Sequence, residues 1–243
     1  MPNSAATFAV TVPSTVSLPI IGSAKRFPVG RIFCVGRNYA EHAREMGGDP
    51  TREPPFFFMK PPSALVADGM DVPYPTQSAD VEHELEVVVA IGVGGAHITV
   101  DRALEHVYGY AVGVDLTCRD LQGQAKKAGR PWETSKAFDH SAPCSAVTRA
   151  SEIGHPSSGP LELRINGSLR QRGDIGQMIW NVPEIIAHLS EYFALQPGDL
   201  IFTGTPAGVG PVKIGDRLDL IAPTIGELSF NIVAPNHGPE DQT

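Results

Sequence analysis

Glu84-Leu85-Glu86-Val87-Val88-Val89-Ala90-Ile91, closed by Gly92, is the stretch whose reading decides the fold. The run is apolar and β-branched between its two acids, so it reads as a strand. Residues two apart on a strand share a face, so both carboxylates are expected to point the same way, into a buried or half-buried surface. Close, unpaired, buried carboxylates are costly. They protonate, pair with a base or bind a cation. A third acid, Asp115, ends a second apolar strand, Tyr108-Gly109-Tyr110-Ala111-Val112-Gly113-Val114. Three oxygen ligands without a matching His or Cys set suggest a hard cation, Mg²⁺ or a relative, rather than zinc. The competing reading makes Glu84 and Glu86 an outward face paired to nearby Arg or Lys. Asp80 and Glu82 continue the same parity and support it, whereas Asp115 shifts the balance toward a cation.

The chain has 243 residues, 42% of them hydrophobic, and a formal net charge of −8. Its acidic balance and lack of a basic block disfavour nucleic acid and anionic membrane as partners. No apolar stretch approaches the roughly 20 residues of a membrane span. The first residues lack a basic region and are interrupted by Pro13 and Pro19, so they do not read as a signal peptide. Cys34, Cys118 and Cys144 form no CxxC pair and read as reduced, buried thiols of a cytoplasmic protein.

Residues 1–30 read as an extended lead-in, 31–233 as the main domain and 234–243 as a polar tail. Strands are expected at Arg31–Val35, Phe56–Met59, Leu200–Thr203, Arg217–Ala222 and Leu228–Val233. A hairpin over Leu161–Gln171 should turn at Asn166-Gly167. Helices are expected over Asn38–Met46, over Arg119–Lys127 with Thr117 as its cap, and over Pro183–Phe193. Strands and helices do not alternate regularly, which disfavours Rossmann and TIM arrangements and predicts a mixed α+β, β-rich fold.

His42 and Glu45 are three apart on the first helix, where a carboxylate beside an imidazole raises its basicity and suits it to activate water. An exposed surface pair is the plainer reading of that spacing. Arg119 could clamp a substrate carboxylate, with Gln122 one turn along; a solvated helix face is the alternative. Lys60 and Lys136 each sit among aromatic or small residues, as desolvated cations near an anion or as snorkelling surface lysines. The loop Gly204-Thr205-Pro206-Ala207-Gly208-Val209-Gly210 fits neither a P-loop nor GxGxxG. It suits a tight turn offering N–H groups and the Thr205 hydroxyl to a small anion.

Together these motifs resemble the fumarylacetoacetate hydrolase family. The matching segments are Gly36–Glu45, Phe58-Met59-Lys60-Pro61, Glu84-Leu85-Glu86, Gly113–Gln122, Trp132–Phe138 and Thr203–Gly210, in the family's order. The resemblance implies a rolled mixed β-sheet with short peripheral helices, and a homodimer. It implies Mg²⁺ or Mn²⁺ on Glu84, Glu86 and Asp115, and a water-activating dyad of His42 and Glu45. It also implies an active-site lysine at Lys136, and Arg119, Gln122 and Thr205 as substrate contacts, with Lys60 beside them. Glu82 departs from the family, several members of which carry His there.

Within the family the chain looks most like the acylpyruvate hydrolases. The expected reaction is metal-dependent cleavage of the carbon–carbon bond of a 2,4-dioxo acid, fumarylpyruvate above all, to pyruvate and fumarate in aromatic-compound breakdown. Oxaloacetate decarboxylation, and isomerisation or hydration of a dienoic 2-oxo acid, are the alternatives on the same site. A non-catalytic binding protein that has kept the fold is disfavoured by the retention of every expected position.

Overall fold

In a computed structural model of the chain, the structure describes residues 8–45, 53–67 and 69–235. Two sheets carry the fold. The six-stranded sheet runs in the order Thr148–Arg149, Val107–Val114, Leu85–Ile91, Asp199–Phe202, Arg31–Gly36, Phe56–Lys60. All its pairings are antiparallel except that of Asp199–Phe202 with Arg31–Gly36. The five-stranded sheet runs Ser168–Asp174, Pro160–Ile165, Arg217–Ala222, Gly226–Val233, Val72–Pro73. The fold is therefore mixed α+β, strand-rich, with short helices.

The six-stranded sheet is covered on both faces, which explains its apolar run. Val87, Val89 and Ile91 pack with Leu163, Leu218 and Phe230 of the five-stranded sheet. Val88 and Ala90, of the opposite parity, pack with Leu18, Phe27, Ala64 and Ala142 in a second core. Burying a large aliphatic side chain stabilises the fold by roughly 1.5–3 kcal/mol. The alternation therefore fixes which way Glu86 points, toward the Val88 and Ala90 side. Part of the second core comes from the lead-in, where Ser17–Pro19 pairs with Arg26–Pro28.

Several local expectations meet the structure directly. Asn166 and Gly167 have φ of 51° and 79°, the two positive values that a type I′ hairpin turn requires. The helix Val182–Tyr192 is capped by Asn181, whose side-chain Oδ1 accepts from Glu184 N at 3.1 Å while the Glu184 carboxylate accepts from Asn181 N at 3.0 Å. Pro183 sits one residue inside that helix. The first helix spans Ala40–Glu45, and Met46 lies outside the described residues, as do 236–243 of the expected tail.

Two readings are corrected. Thr117 does not cap the helix Arg119–Lys127. Cys118 is the N-cap, and the buried Thr117 hydroxyl donates to the Asp115 carbonyl at 3.3 Å. Glu84 does not lie on the strand of Glu86. It falls in a break between Val81–His83, which pairs with Thr117–Cys118 and Gly210–Pro211, and Leu85–Ile91. The chain changes sheets at Glu84, and a period-two reading cannot see a change of partner.

Candidate active site

The break at Glu84 builds the site. Asp115 N donates to Glu84 O at 2.9 Å, joining the ends of two strands. Glu86 pairs with Gly113, two residues before Asp115. Glu84, Glu86 and Asp115 are thereby brought together, all buried, with a carboxylate oxygen of each within 4.8 Å of the others. Gly204 N donates to Glu86 Oε2 at 2.8 Å, so the glycine-rich loop fixes the second carboxylate across 118 residues of sequence.

Cations surround the cluster. Lys136 Nζ donates to Glu84 Oε2 and Asp115 Oδ2, both at 2.7 Å. Burial alone would lower the pKa of this lysine, but Asp115 and Glu84 outweigh it and hold the side chain charged. Arg119 donates to Glu84 Oε1 at 2.7 Å, to Gln122 Oε1 at 2.8 Å and to Glu82. Burial works against ionisation of Glu84, yet Lys136 and Arg119 prevail and hold its carboxyl far below the usual range. Glu86 differs. Burial, and then Asp115 and Glu84 as like charges, push its carboxyl well above the usual range. Glu82 lies on the rim as a partner of Arg119, outside the three-carboxylate group.

Lys60 is placed differently from its expected contact with substrate. Its ammonium is fully buried behind Asp115, 2.8 Å from Oδ1, and donates to the carbonyls of Leu116, at 3.3 Å, and Lys136. It ends the strand Phe56–Lys60 pointing into the protein, so it positions Asp115 and does not line the cleft.

His42 lines the same cleft as the three carboxylates. Its Nδ1 lies 3.5 Å from Glu45 Oε2 without a hydrogen bond, while the Gly208 N–H holds Glu45 from the glycine-rich loop at 3.1 Å. Burial is the main cause that lowers the His42 pKa, so the ring is neutral at pH 7. Asn38 anchors the start of that helix. Its side chain donates to Thr203 O at 2.8 Å and Trp180 O at 2.9 Å, and accepts from Trp180 N at 2.7 Å. Among the described residues three buried side-chain polar atoms lack a hydrogen-bond partner: Tyr39 Oη, His42 Nδ1 and Asp115 Oδ1. Of these, Asp115 Oδ1 is ion-paired to the Lys60 ammonium at 2.8 Å and His42 Nδ1 is turned toward Glu45 at 3.5 Å.

The chain belongs to the fumarylacetoacetate hydrolase family. The fumarylacetoacetate (FAA) hydrolase C-terminal family matches residues 31–233. The crystal structure of fumarylpyruvate hydrolase from Pseudomonas aeruginosa, in complex with Mn²⁺ and pyruvate, is 50% identical, with a TM-score of 0.92. That match covers 94% of this chain and 100% of the other. Fumarylpyruvate hydrolase of Ralstonia sp is 42% identical over 76% of this chain and 95% of its own length. Oxaloacetate tautomerase of Escherichia coli K12 is also 42% identical, over 81% of this chain and 90% of its own length. The chain is thus an enzyme of the fumarylacetoacetate hydrolase family, with relatives of two named activities. No helix among the described residues is long and apolar enough to cross a membrane.

One residue of the site carries no signal in the sequence. Gln171 is the single buried position on an otherwise exposed or half-buried strand, Ser168–Asp174. Its oxygen accepts from Leu85 N at 3.0 Å and contacts His83 Nδ1 at 2.8 Å. Its amide donates to Pro206 O at 2.9 Å and Thr205 Oγ1 at 2.8 Å. Leu85 N can only donate and Pro206 O can only accept, so the amide has one orientation. Thr205 Oγ1 is then an acceptor toward Gln171 and donates to Pro206 O at 3.4 Å, at the edge of the cleft that Thr205 lines. A glutamine in a polar strand reads as solvated; only the burial found here marks it. Gln171→Leu strands the buried Leu85 N–H and removes the better donor to Pro206 O, and an unsatisfied buried group costs about 1–3 kcal/mol. A loss of about 2 kcal/mol or more in urea unfolding is the expected result.

Proposed function

We propose that this enzyme hydrolyses the carbon–carbon bond of an acylpyruvate, fumarylpyruvate foremost, releasing pyruvate and fumarate, and that it takes part in the breakdown of aromatic compounds. One observation carries the reading: a buried three-carboxylate cluster opens on the same cleft as a neutral, carboxylate-backed imidazole. The relative crystallised with Mn²⁺ and pyruvate supports it.

The donor set fits Mg²⁺ or Mn²⁺. It is all oxygen, three buried carboxylates lie together, and burial, with Asp115 and Glu84 as like charges, pushes the Glu86 carboxyl well above its usual range. Glu84, Glu86 and Asp115 would hold the ion, which when bound acts as a Lewis acid toward the 2-oxo acid. Arg119, Gln122 and Thr205, which line the cleft, orient the substrate's pyruvyl carboxylate. Glu45 holds His42 through Nδ1, leaving Nε2 to take a proton from water. Such contacts are commonly long before substrate arrives. The water oxygen bonds to the 4-oxo carbon, and the bond between that carbon and the pyruvyl CH₂ breaks. The electron pair leaves with the pyruvyl fragment as its enolate, beside the Lys136 ammonium, and a proton returned to the former CH₂ carbon makes it the methyl group of pyruvate. The homodimer expected from the sequence belongs to the same proposal.

A second reading, proton transfer on oxaloacetate, is favoured by the tautomerase relative. Hydrolysis needs an activated water; tautomerisation does not. The test measures pyruvate release from fumarylpyruvate, acetylpyruvate and oxaloacetate, and enol–keto exchange of oxaloacetate, with Mg²⁺ and with a chelator. Chelator-sensitive release, fastest from fumarylpyruvate, is expected. Enol–keto exchange without pyruvate release from either acylpyruvate would replace the hydrolase by a tautomerase.

A further inference from the structure

Besides the carboxylate cluster, the cleft is lined by Arg37, Phe56, Trp132 and Lys126. These four side chains form a ladder. The Arg37 guanidinium stands 5.9 Å from the centre of the Phe56 ring. The Phe56 and Trp132 rings meet edge to face at 5.6 Å. Lys126 Nζ lies 5.0 Å from the centre of the Trp132 ring. Two cations thus flank two aromatic rings at the mouth of the cleft.

The ladder is built at a cost. Gly36 admits it: a Cβ there would stand 2.0 Å from the Phe56 ring. Arg37 has φ of +57°, a left-handed conformation that a long side chain rarely adopts. Strain of this kind persists where surrounding structure enforces it, often beside ligands. Phe56 is left 38% exposed. Neither Arg37 nor Lys126 makes an ion pair among the described residues, although Arg31, Lys60, Arg119 and Lys136 each have one. Burial lowers the Lys126 pKa, and Arg119 and Arg37 lower it further as like charges, which places the three cations in one field.

We propose that Arg37 and Lys126 form a distal anion subsite that takes the second carboxylate of a dianionic 2-oxo acid, with its planar unsaturated segment against Phe56 and Trp132. The subsite deepens the acylpyruvate reading and rests on it for the placing of the pyruvyl end. Unpaired cations at a partly closed mouth attract an anion, and a cation above a ring leaves an apolar edge for a flat carbon chain. The enzyme would then select 2,4-dioxo dicarboxylic acids over acylpyruvates that end in a methyl group.

The test is a binding ratio. 2-Oxoheptanedioate and 2-oxoheptanoate share chain length and the 2-oxo acid head, and differ only in the distal carboxylate. Each is titrated calorimetrically into the Mg²⁺-loaded enzyme. The wild type should bind the dicarboxylate about tenfold or more tightly, the gain of one charge-assisted contact. In the double variant Arg37→Gln/Lys126→Met the ratio should fall to about one. Lys126→Glu, a single change at an exposed position, should push it lower still. Equal affinities in the wild type, or an unchanged ratio in a folded double variant, would overturn the subsite. Because no bond is cleaved, a clear preference together with failure to hydrolyse fumarylpyruvate would sink the hydrolase reading and leave the subsite standing.

Discussion

His42→Ala is expected to lower kcat for fumarylpyruvate by about a hundred- to ten-thousand-fold, the range that a positioned general base contributes. Mg²⁺ affinity, followed by calorimetry, should hardly change, because His42 is not one of the three clustered carboxylates. The pH profile of the wild type gives a second check. Burial lowers the His42 pKa below its ordinary value of about 6.5, so the base stays neutral and competent down to that lowered pKa. The acidic limb of kcat/KM should therefore lie below pH 6.5, with activity lost as pH falls through it. An acidic limb at or above pH 7, or an alanine variant that turns over like the wild type, would remove His42 from the proton transfer.

Lys136→Met carries the next largest effect, and stability reports it as well as rate. The lysine ammonium is buried and bonds two carboxylates at 2.7 Å each. Removing one member of such a group leaves uncompensated buried charge, at a cost of about 3–5 kcal/mol. Without metal the variant should unfold at markedly lower temperature and denaturant concentration than the wild type. Added Mg²⁺ should narrow the gap, since a bound cation restores the lost positive charge and stabilises the form that binds it. Turnover should stay low at saturating Mg²⁺, because the enolate loses its neighbouring ammonium. A variant as stable as the wild type in chelator would show that Lys136 does not balance the cluster.

Much of this site was legible because its residues break local rules. Acids inside an apolar strand, and Asp115 at the end of another, require a partner wherever they are buried. The hairpin at Asn166-Gly167 was legible because only a few residue pairs tolerate its backbone. The rest depends on distant partners. Glu84 shares parity with Glu86 in the sequence, yet the chain changes sheets there, and the Asp115 amide that joins Asp115 to Glu84 is one that no local pattern identifies. Lys60 and Lys136 look alike as lysines among aromatic residues. One is sealed behind Asp115 while the other spans two carboxylates, and only the packed fold separates them. Gln171, Asn38 and the Arg37–Lys126 ladder were hidden for the same reason. Each is an ordinary polar residue until the sheets bring its partners within reach.

The long reach of those contacts bears on how the enzyme is made. The Gly208 amide that holds Glu45 lies 163 residues further along the chain, and the Gly204 amide on Glu86 lies 118 further. A ribosome exposes the chain from its first residue onward, so Glu84, Glu86 and Asp115 emerge long before the loop that finishes their pocket. Strand Asp199–Phe202 must also insert between two earlier strands to close the six-stranded sheet. A nascent chain therefore passes through a stage in which its acids are out and its pocket is not. An ion held by these acids would find its site complete only after translation has passed residue 208.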